Sequence, residues 1–274
     1  MDISVDELAN ILKRRALESN ERIIVLLYGP PGSGKTTSAE RLVNMLNNDN
    51  DDENANITSE IPSGITPDEY ITGKGGSKTS IGIYKSNKQL NTPHEFLNAV
   101  HVPMDGFHLP LKLLPQNLIS RRGCPESFDG DNVVKLVELL FKKNWKFLSV
   151  PQFDHSVGNP INPGVLINSN TKIVILEGLY LMLDKDPWNQ IPENVKFFKN
   201  TQEDNNASPQ CLVIRVNGGD DEKMSFRVAN RHLKCGLVSS FEQGLERYNS
   251  NDKENAKLVN NNSVNIDDYV LYNP

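Results

Sequence analysis

A glycine-rich turn with one lysine and two threonines carries the clearest chemistry in this sequence. The turn follows an apolar run at residues 23–28 and has the spacing Gly29-x-x-x-x-Gly34-Lys35-Thr36. In that pattern, backbone N–H groups surround a polyphosphate, the lysine reaches the outer phosphates and the hydroxyl holds Mg²⁺. The expected strand before the turn and helix after it favour this P-loop over a hairpin that merely contains glycines. The predicted nucleotide-binding residues are Gly29, Pro30, Pro31, Gly32, Ser33, Gly34, Lys35, Thr36 and Thr37.

Two acids at the ends of apolar runs are candidates for chemistry on a bound polyphosphate. Asp105 follows the run 99–104, and Glu177 follows the run 172–176. Sheets of parallel strands place their chemistry at the carboxyl ends of those strands. Phosphoryl transfer to an alcohol needs a base for the alcohol's proton, so Asp105 is the candidate base. Glu177 resembles a Walker B acid that helps to hold Mg²⁺, although a strand that ends in a capping glutamate has the same pattern.

Two arginines near the end of the chain are spaced to act with the P-loop. Arg227 and Arg231 are four residues apart in a predicted helix at 222–234, so they share one face of that helix. Arginines on a closing lid would grip a transferring phosphate, whereas a solvated basic face is the alternative. The predicted catalytic residues are Asp105, Lys35, Arg227 and Arg231.

Other polar residues have more than one interpretation. His108, His155 and His232 lack the spacing of metal ligands, so polar contacts at the ends of strands or helices are favoured. Arg121 and Arg122 either bind an anionic substrate or cap a loop.

Strands and helices alternate along the chain and must position these residues. The pattern predicts helices at 4–19, 35–46, 132–141 and 222–234, and strands at 23–28, 99–104, 147–151, 172–178 and 211–216. Ser4-x-x-Glu7 is a capping box at the start of the first helix. We expect one α/β domain over residues 1–274, a P-loop three-layer α/β/α sandwich with a parallel central sheet. A helical lid is expected at about 220–256.

Two polar segments interrupt the alternation, at about 47–92 and 199–210. Residues 47–60 contain too little apolar surface to offset the entropy cost of ordering, so we expect polar insertions, with 81–84 as the candidate for a short strand in the first. Within the first, the stretch 73–78 is glycine-rich but lacks the preceding strand and the Gly-Lys-Thr ending of a phosphate loop. A flexible surface loop is therefore predicted there, and the stretch 160–164, with two prolines and a glycine, predicts another loop.

The composition disfavours several classes of partner. The formal net charge of −6 argues against a general nucleic-acid or anionic-membrane surface, because such binding needs a basic face. Three cysteines without C-x-x-C spacing predict neither a disulfide framework nor a zinc site, which indicates a reducing compartment. No apolar run approaches the length of a membrane span, and the first residues are acidic, unlike a leader peptide. The expected location is the cytoplasm, with the nucleus as the alternative.

Five segments occur in the order found in the superfamily of uridine kinase, phosphoribulokinase and bacterial pantothenate kinase. They are 29–36, 103–109 (PMDGFHL), 122–129 (RGCPESFD), 175–180 and 227–232. The chain most resembles the fungal uridine-kinase-like ATP-dependent kinases, and the similarity spans nearly the whole chain outside the two polar segments. The resemblance implies ATP and Mg²⁺ as cofactors and transfer of the γ-phosphate to an alcohol group of a metabolite.

The resemblance also implies roles for individual residues. Asp105 matches the catalytic aspartate of the superfamily, and Arg227 and Arg231 fall in its lid. The expected metal ligands are Thr36 and Glu177. The expected acceptor contacts are His108, Arg122, Asp129 and Asp154.

The identity of the acceptor stays open at this point. The aromatic residue that follows the catalytic aspartate in nucleoside kinases is replaced here by Gly106-Phe107-His108, which disfavours uridine and cytidine. The stretch 123–129 leans towards the pantothenate kinase pattern. Nucleoside-, pantothenate- and sugar-acid-like acceptors all remain.

A different class of function is the main alternative. A nucleotide-binding ATPase or regulatory interaction protein would need no small-molecule acceptor, and its polar insertions would bind a partner. The sequence has neither the Asn-Lys-x-Asp of guanine-specific GTPases nor the Leu-Ser-Gly-Gly-Gln of transporter ATPases. A kinase that only binds nucleotide is disfavoured by the intact Lys35, Thr36, Asp105 and Glu177. The oligomeric state stays open, a homodimer included.

Overall fold

Strands and helices alternate through most of the chain. In the computed structural model, residues 1–47, 66–85, 99–142, 144–154, 156–201 and 209–273 are described. The helices within these ranges are α1 Val5–Glu18, α2 Lys35–Asn47, α3 Gly130–Leu140, α4 Gln190–Thr201, α5 Asp221–Lys234, α6 Phe241–Arg247 and α7 Lys253–Asn262. The strands are β1 Asp2–Ile3, β2 Ile23–Tyr28, β3 Glu69–Gly73, β4 Gly76–Tyr84, β5 Ala99–Pro103, β6 Phe147–Asp154, β7 Asn159–Asn168, β8 Ile173–Gly178, β9 Gln210–Asn217 and β10 Tyr269–Tyr272. A 3-10 turn, Met104–Phe107, follows β5, and a π-helical turn, Tyr248–Asp252, joins α6 to α7.

The parallel sheet expected from the sequence is present and carries the P-loop near its centre. Its strand order is β1-β10-β9-β2-β8-β5, and every neighbouring pair is parallel. All residues of β2 are buried, as expected of an apolar strand with neighbours on both sides. Leu27 of β2 and Pro103 of β5 both pair with Glu177 of β8. Because these three strands end at one level, the P-loop, the Asp105 turn and Glu177 meet at one edge of the sheet.

Helices cover both faces of this sheet. Side chains alternate across a strand, so every second residue of β2 from Ile23 packs with buried residues of α1 and α2. The others, from Ile24, pack with buried residues of α3 and α4. The capping box predicted at Ser4 and Glu7 starts α1. These layers confirm the three-layer α/β/α sandwich. Across the part of the chain that the structure describes, none of the helices has the length and apolar character needed to cross a bilayer.

A second, antiparallel sheet corrects two of the loop predictions. Its strand order is β3-β4-β6-β7. The flexible loop predicted at 73–78 is wrong, because β3 and β4 form a hairpin in which Gly73 pairs with Gly76. The loop predicted at 160–164 is also wrong, since these residues lie within β7. Glycine and proline disfavour strands locally, but pairing and burial in the fold override that preference.

Parts of the two predicted insertions belong to regular elements or lie outside the described residues. Residues 199–201 end α4 and residue 210 begins β9, so the second insertion is shorter than predicted. Residues 48–65, 86–98 and 202–208 lie outside the described ranges, as does the polar contact predicted for His155.

The second sheet supports the turn that carries Asp105. Gly106 lies so close to β6 that a Cβ at this position would collide with the carbonyl oxygen of Pro151. Phe107, the next residue, is fully buried. The backbone carbonyl of Phe107 accepts a hydrogen bond from the Asp129 N–H at 2.8 Å, which ties the turn to the start of α3.

Asp129 is predicted from the sequence to contact an acceptor, but its side chain makes contacts within the protein. Its carboxylate is fully buried and accepts hydrogen bonds from the Thr79 hydroxyl at 2.6 Å and the Lys74 N–H at 2.5 Å. It also caps α3 by accepting from the Asn132 N–H at 3.4 Å. The side chain therefore joins the β3–β4 hairpin to α3 and does not line the cleft described below.

Replacing Asp129 should destabilise the fold. Asp129→Ala leaves the buried donors of Thr79, Lys74 and Asn132 without their acceptor, and we expect a loss of about 2–4 kcal/mol in the free energy of unfolding. Urea denaturation measures this loss. Asp131→Ala, in the first turn of the same helix, removes only an exposed ion pair with Lys74 and should cost less than about 1 kcal/mol. Equal stabilities for the two variants would argue against the structural role of Asp129.

Candidate active site

The P-loop connects β2 to α2 and has the backbone shape that its glycines allow. Gly32 and Gly34 have φ angles of 80° and 89°, in the left-handed region that favours glycine. A Cβ on Gly32 would lie 2.6 Å from the carbonyl oxygen of Met224 on α5, so the loop also packs closely against α5. Since α2 begins at Lys35, its N-terminus points its free N–H groups at this turn, which suits an anion. All nine predicted nucleotide-binding residues lie in this loop and the first turn of α2.

Lys35 is a buried cation in the middle of this loop. Its Nζ donates a hydrogen bond to the carbonyl oxygen of Pro30 at 3.0 Å. The pKa of Lys35 is lowered to about 8, mainly by burial and in part by Arg231, although Glu177 and Asp105 act to raise it. These four charged groups therefore share one electrostatic environment. The negative charge of a phosphate placed there would stabilise the protonated form of Lys35, which burial disfavours.

Glu177 and Thr36 lie together at the mouth of the P-loop. The Thr36 hydroxyl donates a hydrogen bond to Glu177 Oε1 at 3.0 Å. His101 of β5 lies on the other side of this carboxylate, with its Nε2 3.6 Å from Oε1. Sequence reasoning missed His101, and a lone polar residue inside the otherwise apolar run of β5 was the available signal.

Asp105 lies in the turn after β5 with its carboxylate partly exposed to the cleft. His108 packs beside it, with its Nδ1 2.9 Å from the Asp105 carbonyl oxygen and 4.0 Å from the carboxylate oxygen Oδ1. The His108 ring also contacts Phe128, with ring centres 3.9 Å apart. His108 is therefore buried against an aromatic wall and orients the Asp105 turn.

The two predicted arginines on α5 differ in their surroundings. Arg227 Nη1 donates to three carbonyl oxygens, those of Gly218 at 3.0 Å, Gly32 at 3.3 Å and Asn273 at 3.4 Å. This guanidinium therefore ties α5 to the P-loop. Arg231, one turn further along, makes no hydrogen bond or ion pair with the described residues and faces the cleft. Both arginines reach the cleft; Nη1 of Arg227 is engaged by backbone carbonyls, whereas the whole guanidinium of Arg231 is left for a ligand.

Two adjoining cavities form the cleft. We name them after the roles proposed below. The donor cavity, about 510 Å³, includes the P-loop, His101 and Arg227 in its lining. The acceptor cavity, about 200 Å³, extends away from it towards α6 and α7. Residues that line both cavities are Lys35, Thr36, Asp105, Phe153, Glu177 and Arg231. The predicted catalytic residues other than Arg227 thus lie at the junction.

Two of the four predicted acceptor contacts line the acceptor cavity. They are His108 and Arg122. Arg122 donates from Nη2 to the carbonyl oxygen of Leu109 at 3.2 Å and from Nη1 to that of Gly158 at 2.5 Å. Burial lowers the pKa of the Arg122 guanidinium. Asp154 lies outside the cavity lining, and its carboxylate accepts hydrogen bonds from the N–H and hydroxyl of Ser156 at 2.8 and 2.6 Å.

The far wall of the acceptor cavity comes from the C-terminal helices. Its polar residues are His232, Arg247, Asn251, Asp252 and Asn255. The sequence marked this region only as the helical lid expected at about 220–256, because its residues meet the cleft through helix packing and not through a local motif.

Comparison with known proteins agrees with this geometry. The family model of the magnesium chelatase subunit ChlI matches residues 15–69, a stretch that contains the P-loop. The ATP-dependent kinase YFH7 of Candida glabrata is 30% identical over 337 residues, which cover 94% of this chain and 94% of the relative. The chain belongs to the YFH7 family of ATP-dependent kinases. YFH7 of Zygosaccharomyces rouxii is 28% identical over 344 residues and covers 96% of this chain and 88% of its own.

A solved member of the YFH7 family has the same fold. The crystal structure of YFH7 from Saccharomyces cerevisiae, a P-loop protein with a circular permutation, aligns with a TM-score of 0.75 and 25% identity. The alignment covers 99% of this chain and 100% of that one. Membership of the YFH7 family confirms the resemblance seen in the sequence, the P-loop kinase fold and the use of ATP.

The buried His232 beside the acceptor cavity predicts a loss of stability in acid. Burial, together with the charges of Arg231 and Arg247, lowers the pKa of His232 from 6.5 to about 4. Between about pH 6.5 and 4 the unfolded chain binds more protons than the folded chain, so stability falls as the pH falls through this window. Burial raises the pKa of the facing Asp252, which acts in the opposite direction.

Urea denaturation from pH 7 to 4 tests this prediction. His232→Gln removes the titrating ring and keeps Asp252 and both arginines, so the variant should lose less stability on acidification than the original protein. An equal pH dependence in the two proteins would contradict the lowered pKa of His232.

Proposed function

We propose that the protein transfers the γ-phosphate of ATP to an alcohol group of a small metabolite. The observation that carries the proposal is the junction of two cavities at residues suited to phosphoryl transfer. An ATPase without an acceptor needs only the P-loop cavity. A second cavity that opens onto Lys35 and Asp105 favours a second reactant.

Asp105 is the proposed base. Its side chain is 39% exposed and lines both cavities, so an acceptor hydroxyl can reach it. As the hydroxyl oxygen attacks the γ-phosphorus, Asp105 takes the hydroxyl proton, the bond to the β-phosphate oxygen breaks and ADP leaves. His108 acts through the turn by holding the backbone of Asp105.

Lys35 and Arg231 are the proposed cations for the transferred phosphate. Both line the junction. Among the described residues, Lys35 Nζ donates its hydrogen bond to a backbone carbonyl and not to a carboxylate. Preorganised cations stabilise the charge that spreads over the phosphoryl oxygens in the transition state. Arg227 keeps the lid helix on the P-loop and contributes to the donor cavity.

Thr36 and Glu177 are the proposed holders of Mg²⁺. Their hard oxygen atoms lie 3.0 Å apart at the junction. Mg²⁺ usually binds through one or two protein oxygens together with substrate phosphates and waters, so this pair fits the ion. When bound, the ion would neutralise charge on the nucleotide phosphates.

Removing the proposed base should slow the chemical step without preventing binding. We expect Asp105→Asn to lower kcat by about 10²- to 10⁴-fold, because the amide cannot take the hydroxyl proton. ADP release with ATP, Mg²⁺ and a panel of metabolites measures the effect. Asp154→Asn, outside the cavity, is the matched control and should keep its rate. An Asp105→Asn protein with the original kcat would overturn the assignment of the base.

Removing the P-loop cation should abolish transfer while the fold persists. We expect Lys35→Ala to lose at least about 100-fold in kcat/KM for ATP, since the buried cation at the phosphates is gone. Lys135→Ala, an exposed residue paired with Glu138 on α3, is the control. Circular dichroism checks the fold of both. Full ATP-dependent activity in Lys35→Ala would refute the whole phosphate-site proposal.

A further inference from the structure

Residues that line the acceptor cavity contain buried polar atoms that make no hydrogen bond. Across the described residues, eight buried side-chain nitrogen or oxygen atoms make no hydrogen bond, and half of them belong to residues of this one lining. They are Arg122 Nε, His232 Nδ1, Arg247 Nε and Asp252 Oδ2. A buried polar atom without a partner costs about 1–3 kcal/mol. Four such atoms around one small cavity indicate a ligand with matching polar groups.

A π-helical turn brings the C-terminal members of this set to the cavity. Arg247 precedes the turn and Asp252 ends it. Arg121 anchors the turn, since it donates to Asn251 Oδ1 at 2.6 Å and Asn255 Oδ1 at 3.1 Å. Arg121 is therefore a structural contact and not an anion site. Single π-helical turns inside helical segments are frequent at functional sites, where they re-aim side chains.

Beyond the junction, the acceptor cavity is lined by more positively than negatively charged side chains. The charged residues there are Arg122, Arg247 and Asp252. His232 Nε2 lies 3.7 Å from Asp252 Oδ2, and burial keeps the pKa of His232 near 4, so the ring is neutral at pH 7. Two arginines thus face one carboxylate, which leaves one positive charge for a ligand to balance.

We propose that the phosphate acceptor is a small hydroxylated anion whose carboxylate or phosphate group binds Arg122 and Arg247 while a hydroxyl donates to Asp252. This inference rests on the proposed kinase function and names the substrate class of the same site. A neutral nucleoside would leave the arginine donors unpaired, and sites built around buried polar groups reject ligands that lack the partner. The cavity volume of about 200 Å³ agrees with a small acceptor.

The test separates acceptors by charge. An extract of yeast metabolites is passed over an anion-exchange resin at pH 7, which gives a neutral flow-through pool and a retained anionic pool. Each pool is incubated with the enzyme, Mg²⁺ and ATP labelled in the γ-phosphate, and new labelled small molecules are counted. We expect labelled product from the retained pool and at most about one tenth as much from the flow-through.

Each outcome decides between the two proposals. Product from the flow-through alone, or equal product from both pools, overturns the anionic acceptor and leaves the kinase proposal standing. No product from either pool overturns both. Treatment of the retained pool with alkaline phosphatase, removed before the assay, separates the two anion classes. Loss of activity indicates a phosphate ester, and retained activity indicates a carboxylate.

A variant tests the proposed anion contact directly. We expect Arg247→Gln to raise the half-saturating amount of the retained pool by about 10- to 100-fold, with kcat at saturation changed less than about threefold. Arg41→Gln changes an exposed arginine that pairs with Asp6 and lines neither cavity, so this matched control should behave like the original protein. An unchanged half-saturating amount in Arg247→Gln, with the fold intact, would overturn the role of Arg247.

Discussion

The register of three neighbouring parallel strands is the constraint on which the cleft depends. β2 leads into the P-loop, β5 leads into the Asp105 turn, and β8 lies between them and carries Glu177 at its penultimate position. Side chains alternate along a strand, so a slip of one residue would exchange the side chains fitted to α1 and α2 with those fitted to α3 and α4. Complete burial of β2 and β8 makes such a slip costly. The register therefore fixes the phosphate loop and both acids at one edge.

Several contacts around this edge hold the segments that form the cleft in place. The antiparallel sheet presses on Gly106 and holds the Asp105 turn, and Asp129 ties that sheet to α3. Arg227 holds α5 on the backbone of the P-loop. Arg121 holds the π-helical turn through two asparagines. These contacts give the supporting side chains hydrogen-bond partners within the protein. Side chains that line the cleft keep polar atoms without such a partner.

Burial then determines the electrostatics of the cleft. Lys35 is buried, and Arg122 and Arg247 are partly buried, so their attraction to an anion is stronger than at a fully exposed site. The same burial makes these groups costly when the cleft is empty. ATP at one end and an anionic acceptor at the other would offset that cost, which links the two proposals through one physical cause.

The sequence by itself determined the residues whose roles depend on local spacing. The P-loop, Asp105 and Glu177 at strand ends, and the i, i+4 pair Arg227 and Arg231 could be found because a short motif fixes their geometry, and the apolar runs predicted the parallel sheet. Contacts between distant segments could not be found in this way. Residues 73–78 and 160–164 look like loops until the second sheet pairs them, and Asp129 looks like a ligand contact until Thr79 meets it.

Only the tertiary structure brought His232, Arg247 and Asp252 to one wall with Arg122, from parts of the chain more than a hundred residues apart. The spacing of a motif depends on residues that are close together in the chain, so it can be recognised in the sequence. The lining of an acceptor cavity is a property of how helices pack, and no local pattern records it.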